Sequence, residues 1–80
     1  MNKEELQEKV IYTTMEVGEL EKVGPEDSFM DDLEMSSVEI MELLAELETV
    51  LKIRIPERIL SRVATVQDMC NEIAQIMKDC

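Results

Sequence analysis

At 80 residues the chain can build one hydrophobic core, and 45% apolar residues against 34% charged argue for a folded rather than a disordered chain. Its 19 acidic and 8 basic residues leave a net charge of −11. Such a surface repels phosphate backbones and anionic lipid, so it disfavours nucleic-acid and membrane-surface partners and favours a basic protein.

With one Tyr, one Phe, two Gly and two Pro, aliphatic side chains and Met must fill the core, and helix is the favoured element. The first helix is expected from Asn2, with Glu5 as capping-box partner. Leu6, Val10, Thr13, Thr14 and Val17 continue at helical spacing, and Gly18 is the expected stop. The two threonines weaken that stripe. A connection then runs to Met35, broken by Gly24-Pro25 and turned at Asp27-Ser28. It carries Leu20, Val23, Phe29, Met30 and Leu33, too many apolar residues for a free loop, so it is expected to fold onto the helices.

Ser36 and Glu39 have the spacing of a capping box. Ile40, Leu43, Leu44, Leu47, Val50 and Leu51 follow as the buried stripe of a second helix, and Pro56 prevents its continuation. Ile53 and Ile55 read as anchors in an extended link. Pro56 is expected to be the first residue of a short third helix through about Ser61. Thr65 and Asp68 cap the last helix, whose stripe is Val66, Met69, Cys70, Ile73, Ile76 and Met77, with Lys78 at its negative end. The expectation is an all-α fold over residues 1–80 as a single domain. It is a four-helix bundle of three longer helices and one short, with a long structured loop between the first two.

Cys70 and Cys80 lack zinc-ligand spacing, the chain has no His, and both cysteines read as free thiols of a reducing compartment. Residues 1–5 (MNKEE) do not resemble a signal or transit peptide, and no apolar run reaches membrane-spanning length; a cytoplasmic protein is expected. A calcium loop starting at Asp27 would need Gly at its sixth position and Glu at its twelfth, and meets Asp32 and Val38. Without His, an activated thiol or paired carboxylates, catalysis by the chain itself is not expected.

By itself, Ser36-Ser37 before a helix is a capping pair. Ser37 stands one residue inside the cap, where free N–H groups and the helix dipole favour a phosphate on its hydroxyl. The residues around it decide between these readings. From position 27 the chain reads DSFMDDLEMSSVEIMELLAELETVLKIRIPE. Asp27-Ser28-Phe29, Asp32-Leu33, Ser37, Glu42-Leu43, Leu47-Glu48, Ile53 and Ile55-Pro56 resemble, without a gap, the conserved stretch of the acyl carrier protein family. The resemblance implies that a phosphopantetheinyl transferase moves 4′-phosphopantetheine from coenzyme A onto Ser37. The arm's thiol then carries acyl groups as thioesters to the enzymes of fatty-acid or polyketide-type biosynthesis. Choosing Ser36 instead would shift the register from Val38 to Pro56. Three positions depart from the family pattern: Glu34 stands for its usual Gly, Ser36 for Asp and Val38 for Leu.

Between Val23 and Leu51 there is no Lys or Arg, and Glu39, Glu42 and Glu46 share one helix side. The resemblance implies that this face meets basic patches of acyl-transferring and condensing enzymes. The candidate partner-binding residues are Ser36, Val38, Glu39, Met41, Glu42, Glu46 and Glu48, with Val38, Met41 and Ala45 as an apolar centre. Glu46 and Met41 read equally well as a solvated and a core position. The carrier is expected to be a monomer, and its acyl chain to shelter beside Leu43, Leu47, Ile59 and Ile73. Lys52, Arg54, Arg58 and Arg62 form a basic segment where the family is often acidic, with Glu48 placed to pair with Lys52. A peptidyl or aminoacyl carrier of secondary metabolism, and an unmodified helical interaction module, are the alternatives.

Overall fold

The structure, a computed structural model, describes residues 2–79. Three α-helices, α1 (Lys3–Gly18), α2 (Ser37–Leu51) and α3 (Val66–Asp79), are joined by a structured loop and by a short 3-10 helix, Glu57–Arg62. This is the expected all-α arrangement of three longer helices and one short. No strand forms among the described residues, and a single antiparallel bridge joins Ser28 to Thr65.

The weak stripe of α1 is resolved by its threonines. Thr13 and Thr14 are both buried, and each hydroxyl donates 2.7 Å to the carbonyl one turn earlier, on Lys9 and Val10. A hydrogen bond within the helix offsets the desolvation of each buried hydroxyl, so Thr functions here as a core residue beside Leu6 and Val10. Asn2 caps the helix, its Oδ1 accepting the Glu5 N–H at 2.8 Å. At the other end the residue in the left-handed conformation is Glu19 (φ 52°), not Gly18. Gly18 instead leaves room for the returning chain: a Cβ there would stand 2.9 Å from Leu20 Cδ1.

The long loop packs as a wall of the core, with Val23, Phe29, Leu33 and Met35 buried. Its own acids tie it together. Asp27 Oδ2 accepts the Gly24 N–H at 2.8 Å, and Asp32 Oδ2 accepts the Ser28 N–H at 2.7 Å. It is stitched to α3 by backbone bonds from Phe29 N–H to the Ala64 carbonyl, from Val66 N–H to Asp27 and from Gln67 N–H to Pro25, all between 2.8 and 3.0 Å.

Along α2, Ile40, Leu43, Leu44, Leu47 and Leu51 are buried as expected. Val50 is not: it is 43% exposed. One step of about 100° around the helix from Leu51 carries it off the core face, and it borders a surface groove with Tyr12. Ile55 is buried and Ile53 packs against the core, as anchors should. Pro56 lies just outside the 3-10 helix in an extended conformation (ψ 139°), and its carbonyl accepts the Ile59 N–H at 3.2 Å. It therefore caps the segment rather than opening it. The α3 stripe is as expected, with Val66, Met69, Cys70 and Ile73 buried and Ile76 and Met77 partly so. Cys70 is a free buried thiol, and burial pushes its pKa up to about 11, which leaves it unreactive. Cys80 lies outside the described residues.

Candidate functional site

Two helices of this fold begin with a complete capping box, and they begin differently. At α3, Thr65 Oγ1 accepts the Asp68 N–H at 3.1 Å, and Asp68 Oδ2 accepts from both Thr65 and Ala64 at 3.0 and 2.9 Å. These two backbone donors hold the Asp68 carboxyl below the usual carboxylate range. Val66 and Gln67, next along the helix, donate their amides to the loop carbonyls described above. The whole first turn is satisfied, and Val66 is buried.

At α2, Ser36 Oγ accepts the Glu39 N–H at 3.2 Å, and Glu39 Oε1 accepts the Ser36 N–H at 3.0 Å. The loop does not fold over this turn. Among the described residues no acceptor meets the Ser37 and Val38 amides, which have no intrahelical partner by geometry. Ser36 and Ser37 are exposed, and Val38 is 63% exposed. Ser37 is thus a hydroxyl presented to solvent at a helix start with free N–H groups beside it, an arrangement that suits an attached phosphate.

Ser37 also borders a cleft of about 350 Å³. The loop contributes Phe29 and Met30, α2 contributes Ile40 and Met41, and the 3-10 helix and the link after it contribute Leu60, Val63 and Ala64. The lining is predominantly apolar, with Ser28 and Asp31 at the polar margin. This differs from the expected lining. Leu43, Leu47, Ile59 and Ile73 are packed solid, none more than 2% exposed, and none of them reaches the cleft. Helical periodicity identifies inward-facing residues but not which of them border a void. No local signal in the sequence marks the cleft, because its lining comes from three separate segments of the chain.

The expected acidic face divides into two groups. Asp27, Asp32, Glu39 and Glu48 each accept a backbone N–H from the chain itself. Glu48 in particular turns inward, its Oε2 2.9 Å from the Ile55 nitrogen, so the expected Glu48–Lys52 pair is replaced by a cap on the link. Glu26, Asp31, Glu34, Glu42 and Glu46 are exposed and stand free of the backbone. Of the candidate partner-binding residues, Val38, Met41, Glu42 and Glu46 form the open surface of α2, whereas Glu39 and Glu48 have structural work of their own. Met41 is 45% exposed, which places it on the surface and not in the core.

Glu34, three residues before Ser37, holds a left-handed backbone (φ 51°). That conformation turns the chain so that Met35 can enter the core and donate its N–H to the Phe29 carbonyl at 2.8 Å. It is unfavourable for any residue but glycine, which accounts for the glycine usual there in the family that the sequence resembles.

The chain is similar to known proteins over most of its length. The phosphopantetheine attachment site family matches residues 10–73. The acyl carrier protein of Rubrobacter xylanophilus is 33% identical over 78 residues, covering 94% of this chain and 95% of the relative. That of Thermosynechococcus vestitus is 37% identical over 75 residues, covering 91% and 93%. Among solved structures, BlmI, a type-II acyl carrier protein from Streptomyces verticillus involved in bleomycin biosynthesis, superposes with a TM-score of 0.84 at 19% identity, over 94% of this chain and 89% of that one. An acyl carrier protein from Mycobacterium tuberculosis gives 0.79 at 24% identity, over 86% and 95%. At these identities the two structures show the shared fold. The chain belongs to the acyl carrier protein family. It is a non-catalytic carrier that bears a covalent 4′-phosphopantetheine and works with modifying and biosynthetic enzymes. No described helix is long and apolar enough to cross a membrane.

Proposed function

We propose that Ser37 is the attachment residue and that the apolar cleft beside it receives the near end of the acyl chain. The observation that carries this reading is the open first turn of α2, where an exposed hydroxyl, two free amides and the mouth of the cleft meet. In loading, the Ser37 oxygen forms a bond to the phosphorus that carries the pantetheine in coenzyme A. The pyrophosphate P–O bond breaks, the adenosine bisphosphate leaves, and the hydroxyl proton passes to the transferase. The arm supplies the thiol on which acyl groups are held as thioesters. The residues of the chain present the serine, accept the phosphate near the helix dipole and shelter apolar carbons against Ile40, Met41 and Leu60.

Glu42 and Glu46, with Val38 and Met41 between them and the serine, suit the basic docking patches of a phosphopantetheinyl transferase and of acyl-transferring and condensing enzymes. Their carboxylates are exposed and free of internal bonds. Charge of this kind speeds encounter and sets orientation more than it adds affinity. The cargo is an acyl group of fatty-acid or polyketide type, and the setting we infer is the cytoplasm.

Intact-mass measurement after incubation with coenzyme A and a broad-specificity transferase tests the reading. One phosphopantetheine increment is expected on the chain and none on Ser37→Ala. An increment that survives Ser37→Ala would overturn it.

A further inference from the structure

The basic segment contributes no charge to the attachment site. It holds Lys52, Arg54, Arg58 and Arg62, half of the chain's 8 basic residues. Arg62 is paired, its Nε 3.6 Å from Glu72 Oε1. Lys52, Arg54 and Arg58 are exposed, and among the described residues no carboxylate lies within 4.0 Å of their cationic groups. Glu48, one helical turn before Lys52, is committed to the Ile55 N–H.

Two ordinary explanations fall short. The dipole of α2 favours a cation at its C-terminus and accounts for Lys52, but the effect fades within the last turn, and Arg54 and Arg58 lie beyond it. Solubility needs no added cations on a chain of net charge −11. Arg54 also borders a shallow groove of about 410 Å³, whose other lining residues are the apolar Ile55 and Pro56 and the internally bonded Glu48.

At physiological ionic strength charges are screened over about 8 Å. A partner approaching this edge therefore meets Lys52, Arg54 and Arg58 against Glu57 and the half-buried Glu48, and not the net charge of the molecule.

We propose that Lys52, Arg54 and Arg58, together with the groove that Arg54 borders at Pro56, form a second docking edge for a carboxylate-bearing segment of an enzyme that this carrier serves. The inference rests on the carrier reading given above. The 15 residues of α2 separate this edge from Ser37 by roughly 22 Å along one rigid helix. An enzyme offering a basic patch to Glu42 and Glu46 and an acidic one to this edge would bind in a single orientation. An enzyme basic at both places would be repelled at the second.

The test is an amide-shift titration of the ¹⁵N-labelled chain with a hexaglutamate peptide at low and high salt, repeated on Arg54→Glu/Arg58→Glu and with inorganic phosphate alone. The expected result is shifts confined to residues 52–58 at low salt, lost at high salt, with binding about tenfold weaker in the double variant. No shifts, equal shifts in the variant, or the same shifts with phosphate alone would overturn the proposal. Loading at Ser37 is read separately by intact mass. An unloaded chain counts against Ser37 as the attachment site, and a loaded chain without peptide shifts counts against the second edge.

Discussion

The starts of α2 and α3 use the same capping chemistry and reach opposite outcomes. At α3 the box of Thr65 and Asp68 is reinforced by loop carbonyls on Val66 and Gln67, and the turn is closed and buried. At α2 the box of Ser36 and Glu39 satisfies the cap and nothing covers the next two amides. A helix start becomes a site not by its capping motif but by what the rest of the chain declines to place over it. The loop that would have closed α2 is spent on α3.

Substitutions should separate the two starts. The largest effect is expected from Phe29→Ala, because the Phe29 ring is buried, lines the cleft and anchors the loop in the core, while the backbone N–H is retained. Urea unfolding should show a loss of about 3–5 kcal/mol. A loss under 1 kcal/mol would mean that the loop is not part of the core. Asp68→Ala removes the acceptor of the Ala64 and Thr65 amides and should cost about 0.5–2 kcal/mol.

The same residue predicts a pH dependence. The folded-state pKa of Asp68 is depressed, so its contribution is fully present above the unfolded carboxylate value and is lost as pH falls below about 4. Asp68→Asn should flatten that part of the acid stability curve, and an unchanged curve would count against the box. Ser36→Ala removes only one cap bond and should cost about 1 kcal/mol while leaving Ser37 loadable. Glu34→Gly relieves a left-handed glutamate and should stabilise by about 0.5–1 kcal/mol, measured by the same unfolding curves.

Much of this contrast is legible in the sequence. Both capping boxes can be read from spacing, since Ser36–Glu39 and Thr65–Asp68 are local pairs whose geometry depends on four residues each. The inward stripe of α2 is legible for the same reason, and Ser37 through its resemblance in register. What escapes is long-range. The cleft needs Phe29, Ile40, Leu60 and Val63 brought together from separate segments, and no periodicity encodes that meeting. Val50 carries the right residue type at nearly the right angle and still faces solvent. Glu48 is chosen by Ile55, seven residues on, over the nearer Lys52. Gly18 reads as a conformational stop, whereas its missing Cβ serves packing.

The open turn of α2, and Ser37 within it, is proposed to hold the phosphopantetheine arm. Ser36 and Ser37 are adjacent and both exposed, so the most direct measurement is tandem mass spectrometry of the loaded protein with fragmentation between the two serines. The phosphodiester is expected on Ser37 alone. Finding it on Ser36, or on any other residue, would contradict it.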